Sequence, residues 1–446
     1  MKKTLSVLLL AVFASFAYCE ELDKKLVDAV KANNYKEVRA LLVGGANPDA
    51  KDSMGNTALV MAVNNGNEEI ADVLIKSGAY TSESYMRGMS VLMLAINKQM
   101  DETAVRLIKF GADTTAKLSN GSNALMMACE RNSENVVREI LLRKQVDVNA
   151  KTAQGISALS IALKERNMNI AGILHQNGAK PSNFLEAACV SDIKAAESLA
   201  AKGADIEIRD EKGRTPLILA FLRQDFSMAS FLISKGADIN VRDYYGITPA
   251  LISCMADNGS LLSLCLNNKA DVLVKDVNGL SPLMFLVFFE NGSLIDTLMD
   301  YNEKAANCVD NNGTTPLAIA ISKGNKNIVE KLISKGAYIN SKHSRRALNV
   351  AIETGNLDIA ELLLSKGARI NAKDFNGNAP IITAASTNNT EAVKFLISRK
   401  ARTAVRDASG LTPLDYAKKF SNREAMFLLD PDAAKNAGDS SNSPVF

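Results

Sequence analysis

The sequence predicts a mainly α-helical solenoid built from short stacked units. Three observations predict it: the dipeptide Gly-Ala returns about every 33 residues, apolar residues at helical spacing precede each copy, and an alternating segment with a turn follows it. Units of this kind bury their apolar faces only against their neighbours. We therefore expect an extended binding surface and no deep catalytic cleft.

The repeat can be followed along almost the whole chain. It predicts about twelve to thirteen units, including the two end caps. The dipeptide stands at Gly45-Ala46, Gly78-Ala79, Gly111-Ala112, Gly178-Ala179, Gly203-Ala204, Gly236-Ala237, Gly336-Ala337 and Gly367-Ala368, with degenerate copies at Gln145-Val146, Lys269-Ala270 and Lys400-Ala401.

The N-terminus has the features of a secretory signal peptide over residues 1–19. Lys2 and Lys3 carry the positive charge, and the apolar stretch from Leu5 to Phe16 is short for a membrane span. Cys19 leaves a lipoprotein alternative open, although the bulky Tyr18 before it disfavours lipidation. We expect export from a bacterial cell, to the periplasm or the medium, with no transmembrane segment after cleavage.

Each unit reads as two helices followed by an extended finger. Thr215 is a good N-cap, and Pro216 suits the first helical position, where no backbone N–H is needed. Residues 226–233 form the second helix, which Gly236 can end in a left-handed conformation. The alternating segment 238–246 predicts a finger with a tight, glycine-containing bend.

These motifs resemble the ankyrin repeat, which starts with Thr-Pro-Leu-His-x-Ala and carries a Gly-Ala-Asp-Val-Asn finger. The resemblance covers roughly residues 22–430 and implies an ankyrin-repeat solenoid of helix-turn-helix units with β-hairpin or finger loops. It also implies a scaffold for binding another protein. The motif matches are Thr215-Pro216-Leu217, Thr248-Pro249, Thr315-Pro316-Leu317, Thr412-Pro413-Leu414 and Gly236-Ala237-Asp238-Ile239-Asn240.

The chain departs from the family pattern in two ways. The histidine of the starting motif is missing, so we expect apolar packing where the family usually forms hydrogen bonds between repeats; Val60, Met93, Met126, Ile218 and Met284 stand there instead. Only seven positions separate Gly178 from Leu185, which predicts that a finger is largely missing. We therefore expect two repeat segments, 22–180 and 181–430, followed by a disordered tail at 431–446.

Composition argues against several other functions. Lys and Arg exceed Asp and Glu by three, without the basic stripe and interleaved aromatics that nucleic-acid binding favours. The cysteines fall mostly at core positions of the helices and lack zinc-ligand spacing. Nucleotide-binding, metal and hydrolase motifs are absent from the sequence. We expect no catalytic, cofactor-binding or metal-binding residues, and therefore no enzyme.

The best candidate binding patch lies in three successive repeats. Polar residues usually end the first helix of a unit, but Leu222, Met255 and Phe289 are assigned to that position here. Tyr244 and Tyr245 occupy a neighbouring finger tip, and Arg223 and Glu290 supply a polar rim. Contiguous exposed apolar surface with aromatic anchors is typical of an interface. The alternative is that these side chains pack inward as part of the core.

Three functions stay open at this point. The leading interpretation is an exported, monomeric scaffold that binds a partner protein through the concave face and finger tips. A second is a secreted effector that acts on a host protein. A third is an enzyme whose site lies among unremarkable carboxylates, which the missing motifs disfavour. Repeat architecture alone does not identify the partner.

Overall fold

The computed structural model describes residues 19–85, 88–341, 346–374 and 376–430. The signal-peptide region before Cys19 and the tail at 431–446 lie outside these residues, so both assignments stay predictions. The chain divides into two compact units, an N-terminal unit that ends at Asp205 and a C-terminal unit that begins at Ile206. The predicted segment boundary at 180/181 lies within the first of them.

The described residues form a mainly helical structure, as the repeat predicts. Helices come in pairs, a seven-residue inner helix and an outer helix of about nine residues. In the N-terminal unit they are α1 (residues 19–31), α2 (Tyr35–Val43), α3 (Ala58–Asn64), α4 (Glu68–Lys76), α5 (Val91–Asn97), α6 (Asp101–Lys109), α7 (Ala124–Glu130), α8 (Glu134–Leu142), α9 (Ala158–Lys164), α10 (Met168–Gln176), α11 (Phe184–Val190) and α12 (Ile193–Ala201).

The C-terminal unit continues the same alternation of inner and outer helices. One 3-10 turn, Glu303–Asn307, follows α18. The helices are α13 (Pro216–Leu222), α14 (Phe226–Ser234), α15 (Pro249–Met255), α16 (Gly259–Asn267), α17 (Pro282–Phe288), α18 (Gly292–Tyr301), α19 (Pro316–Ser322), α20 (Lys326–Ser334), α21 (Ala347–Glu353), α22 (Leu357–Ser365), α23 (Pro380–Ser386), α24 (Thr390–Ser398), α25 (Pro413–Lys419) and α26 (Arg423–Leu429).

Local side-chain chemistry sets where the helices begin and end. Thr215 accepts a hydrogen bond from the backbone N–H of Ile218, and Pro216 takes the first position of α13, as predicted. Asp225 caps α14 in the same way. After α14, Gly236 has a φ of 94°, the left-handed conformation that closes a helix C-terminus and strains most other residues.

One degenerate copy of the Gly-Ala pair carries a one-residue insertion. The left-handed position after α8 is Lys144, with a φ of 53°. The finger that follows keeps Gln145-Val146 in the place of the pair, as predicted, since Val146 is partly buried against the core and Gln145 is exposed. Lys269 and Lys400 occupy the left-handed position as predicted, with φ of 60° and 62°.

Within each of the two compact units, hydrogen bonds join the finger of one repeat to the finger of the next. Asn240 Oδ1 accepts the backbone N–H of Asp271 at 2.8 Å, and Asn149 Oδ1 accepts that of Lys180 at 2.7 Å. At the finger tips, Tyr244 donates its backbone N–H to the carbonyl of Lys212. In the described chain the fingers are mostly turns, with one short hairpin of β1 (Ser84–Tyr85) and β2 (Met89–Ser90).

The finger before α11 is short, as the sequence predicts. α10 ends at Gln176 and α11 begins at Phe184, which leaves little room for a finger. The same repeat carries another deletion, which the sequence pattern does not predict. The turn between α11 and α12 contains only Ser191 and Asp192, and Ser191 adopts the left-handed conformation with a φ of 58°.

The core of each unit lies between its stacked helices. Residues from Leu26 to Ala179 form one cluster in the N-terminal unit, and residues from Cys254 to Leu429 form another in the C-terminal unit. At the N-terminal cap, Leu26, Val30 and Val38 are fully buried. The lysines on the opposite side of α1, such as Lys24 and Lys31, are exposed.

Candidate functional site

A row of exposed apolar side chains ends three successive inner helices. Leu222 ends α13, Met255 ends α15 and Phe288 ends α17, and each side chain is between 42% and 54% exposed. The third member is therefore Phe288 and not Phe289 as predicted. The adjacent phenylalanines made the phase ambiguous by one residue. Because these side chains are half exposed, the alternative that the row belongs to the core is not favoured.

Phe289 and Glu290 extend this row toward the next repeat. Phe289 follows α17 and meets Phe288 edge-to-face, with ring centroids 5.4 Å apart. Lys323 lies 4.5 Å from the centre of the Phe288 ring, a cation–π geometry. Glu290 pairs with Lys323 at 3.6 Å and accepts a hydrogen bond from Asn325. Of the two residues predicted to form a polar rim, Glu290 is thus bonded to other residues of the protein, whereas Arg223, which follows α13, is exposed.

A groove runs between the ends of α13 and α15 and the finger that joins their repeats. Its volume is about 350 Å³. The floor of the groove is apolar. The side chains around it are partly exposed, so the groove is open to solvent. The lining residues are Lys212, Arg214, Leu222, Asp243, Tyr245, Ile247, Ile252, Met255 and Ala256. Three of the predicted residues, Leu222, Tyr245 and Met255, therefore meet at one concave site.

Charged groups beside the groove are held in place by the finger backbone. Arg214 pairs with Asp210, with an Nη2–Oδ2 distance of 2.6 Å. Burial opposes ionisation of Asp210, but hydrogen bonds from Arg214 and from backbone N–H groups lower its pKa overall. Asp243 Oδ1 accepts the backbone N–H groups of Tyr245 and Ile247. These bonds fix the loop that presents Tyr245 to the groove.

Tyr244 has a different environment from its neighbour. Its ring covers Gly213 on the preceding finger, so closely that a Cβ at position 213 would lie 2.5 Å from Tyr244 Cδ1. The outer face of the ring stays accessible. Tyr244 therefore joins two fingers, whereas Tyr245 lines the groove.

Three of the cysteines are core residues. Cys129, Cys254 and Cys265 are fully buried, and none of the six, all of which the structure describes, forms a disulfide bond. Burial raises the pKa of Cys129 and of Cys265 to about 12 and also raises that of Cys254. Thiols with such pKa values are poor nucleophiles near neutral pH.

Among the residues that the structure describes, no cluster of histidine, cysteine and carboxylate side chains is arranged to hold a metal ion. Nor does that part of the chain contain a helix with the length and apolar character needed to cross a membrane.

Two buried polar residues occupy the position of the missing histidine. Val60, Met93, Met126, Ile218 and Met284 are buried there, which confirms the predicted apolar packing in their repeats. In α11, however, Glu186 accepts hydrogen bonds from Ser160 Oγ at 2.6 Å and from the backbone N–H and Oγ of Ser182. In α21, Asn349 donates to the carbonyl oxygen of Asn378 at 2.8 Å. Alignment of all inner helices on their third residue would have revealed both.

This architecture of helix pairs and fingers defines a class of repeat proteins that present a ridged surface and bind other proteins. The family model for ankyrin repeats (3 copies) matches the chain in six overlapping stretches, 26–117, 92–184, 184–276, 251–343, 283–374 and 348–439. The protein belongs to the ankyrin-repeat family. A comparison with curated proteins returns no match.

Proposed function

We propose that the protein is an exported, non-enzymatic scaffold that holds a partner protein at the groove between α13 and α15. The groove is the observation that carries this proposal, because it combines an apolar floor with anchored polar side chains at a mouth open to solvent. Leu222 and Met255 end their inner helices, and most other repeats place a polar residue such as Ser322 at that position. A tyrosine beside the groove adds a favoured anchor for interfaces.

Truncation of the groove residues should weaken partner capture without unfolding the protein. Tyr245→Ala and Met255→Ala should each cost about 1–3 kcal/mol of binding free energy, the usual range for interface anchors. Both side chains are substantially exposed, so thermal unfolding should change little. Ser322→Ala, at the same helix position two repeats after Met255, serves as the matched control. Binding is measured by titration with the captured partner.

The partner is found by photo-crosslinking in the native organism. A photoreactive residue replaces Met255 in one strain and Ser322 in another. A protein captured from position 255 and not from 322 supports the groove. Equal capture from both positions, or unchanged affinity in the Tyr245→Ala and Met255→Ala variants, would show that the partner binds elsewhere.

The alternative of a secreted effector differs in destination and not in the binding surface. Cell fractionation separates the two. Retention in the periplasm supports a resident scaffold, whereas recovery from the medium supports an effector that acts on a host protein.

A further inference from the structure

Two successive turns near the end of the C-terminal unit contain basic residues and no acidic ones. They are residues 365–373, which begin at the end of α22, and residues 398–406, which begin at the end of α24. We call these two segments the basic turns. Their basic residues, all exposed, are Lys366, Arg369, Lys373, Arg399, Lys400, Arg402 and Arg406.

Two of these residues reverse the charge found at the same position in earlier repeats. Arg369 and Arg402 follow the Gly-Ala pair or its degenerate copy, where five other repeats have Asp113, Asp147, Asp205, Asp238 and Asp271. In four of those repeats the aspartate accepts a backbone N–H of its own turn, as Asp238 Oδ1 does from Asn240 at 2.8 Å. Arginine cannot accept such a bond. The basic turns therefore lack a local stabilising contact and carry positive charge in its place.

Hydrogen bonds hold the basic turns side by side. The backbone N–H of Arg402 donates to Asn371 Oδ1 at 2.8 Å, and Lys373 Nζ donates to the carbonyl oxygen of Arg406 at the same distance. The backbone N–H of Arg369 makes the equivalent bond to the preceding repeat. The two reversed positions thus lie one repeat apart on one continuous surface.

The acidic residues of the surrounding repeats lie outside the basic turns. Residues 346–430 contain 12 basic and 9 acidic residues, and the basic turns hold seven of the former and none of the latter. The excess of positive charge is therefore concentrated in these two segments. The nine acidic residues are Glu353, Asp358, Glu361, Asp374, Glu391, Asp407, Asp415, Glu424 and Asp430.

Carboxylates of the neighbouring outer helices are engaged in ion pairs. Glu361 on α22 pairs with Arg399, the one cation of the basic turns that has a carboxylate partner among the residues that the structure describes. Glu391 and Glu424 both pair with Lys394 on α24, outside the basic turns.

Carboxylates that follow the basic turns are bonded to the backbone. Asp374 and Asp407 each accept two backbone N–H groups of their own finger. Asp415 belongs to the capping box of α25. Within the described part of the chain, six of the seven cations therefore have no carboxylate at ion-pair distance.

We propose that the basic turns bind an acidic segment of a polypeptide. Arginine suits this ligand, because its planar guanidinium can donate two parallel hydrogen bonds to one carboxylate. The basic turns, all of whose residues the structure describes, contain no aromatic residue on which a nucleic-acid base could stack. Nor do they present a large exposed apolar side chain that could enter a membrane.

Binding of a labelled acidic peptide tests the proposal. Fluorescence anisotropy measures the affinity of the full chain for fluorescein-labelled decaglutamate, and this affinity should fall as salt increases. Arg369→Asp with Arg402→Asp restores the residue of the earlier repeats, so the variant should fold, which thermal unfolding checks. The double variant should bind at least about tenfold more weakly, because each substitution replaces an attraction by a repulsion.

Lys98→Asp with Lys202→Asp is the matched control. Both lysines are exposed and follow helices of the N-terminal unit, α5 and α12, so the control changes the net charge equally. It should bind decaglutamate as the parent protein does.

Three results would overturn the proposal. One is a parent protein that does not bind decaglutamate. Another is an equal loss of affinity in the double variant and the control, which would reduce the binding to an effect of net charge. The third is tighter binding of an oligothymidylate of equal charge, which would assign the basic turns to a nucleic acid. None of these results bears on the groove between α13 and α15, because partner capture there is measured independently.

Discussion

At the scale of single residues, left-handed backbone positions explain why the Gly-Ala pair recurs. The residue two after the end of an outer helix adopts positive φ, and glycine takes this conformation without steric cost. Lys144, Lys269 and Lys400 adopt it as well, although an L-residue there pays about 1–2 kcal/mol. The repeat therefore tolerates strain at these turns when neighbouring contacts maintain the fold.

This strain predicts that glycine stabilises the turns that lack it. Lys269→Gly and Lys400→Gly should each raise the free energy of unfolding by about 0.5–1 kcal/mol, since relief of strain exceeds the greater freedom of glycine in the unfolded chain. Lys366→Gly is the matched control, because Lys366 follows α22 as its C-cap with a φ of −92° and its replacement should destabilise. Chemical denaturation measures all three. Destabilisation by the first two would contradict the strain argument.

At the scale of elements, the fingers are held together by contacts that their own sequences do not reveal. Tyr244 was expected to face a partner, yet its ring lies on Gly213 of the preceding finger. The binding role assigned to Tyr244 stays a prediction, but its contact with Gly213 gives it a structural role. Register between neighbouring repeats brings these two residues together, and register is a property of the stack.

This contact predicts a strong effect of a single methyl group. Gly213→Ala should destabilise by about 2–4 kcal/mol, because it adds left-handed strain and displaces the Tyr244 ring. In a Tyr244→Ala background only the strain remains, so the cost should fall to about 1–2 kcal/mol. Gly236→Ala, which has open space around its Cβ position, should cost the same 1–2 kcal/mol. Equal costs of Gly213→Ala with and without Tyr244 would exclude the ring contact.

The short finger before α11 is compensated by hydrogen bonds to the buried side chain of Glu186. Glu186 ties Ser182, in the shortened loop, to Ser160 on α9. Glu186→Ala should destabilise the protein by about 1–3 kcal/mol, because it removes these bonds and leaves the partly buried Ser160 hydroxyl without this acceptor. Amide hydrogen exchange should rise around Pro181, where the missing finger already predicts a local minimum of protection. Glu197→Ala, on the exposed side of α12, is the control and should change neither measurement.

At the scale of the whole molecule, the repeat distributes stability along the chain. Among the residues that the structure describes, each pair of helices contacts mainly its neighbours, and the chain divides into two compact units at Asp205 and Ile206. The groove lies within the C-terminal unit.

Export is a further prediction at this scale. The charged start, the short apolar run and the small residues that follow predict cleavage between Tyr18 and Leu22. The intact mass of the exported protein should correspond to a chain that begins in this interval. Additional mass on Cys19 would indicate lipidation, and a protein that retains Met1 would show that the leader is not processed.

The fold class and the succession of helix pairs and fingers follow from the sequence alone, because spacing and capping are local properties and many in-phase copies correct an error in any one of them. Which apolar residues share a row follows only from tertiary packing, since two adjacent phenylalanines satisfy a helical period almost equally. The same packing decides that Tyr245 lines the groove while Tyr244 covers Gly213. These assignments depend on how one repeat registers against the next, which is fixed by packing between units.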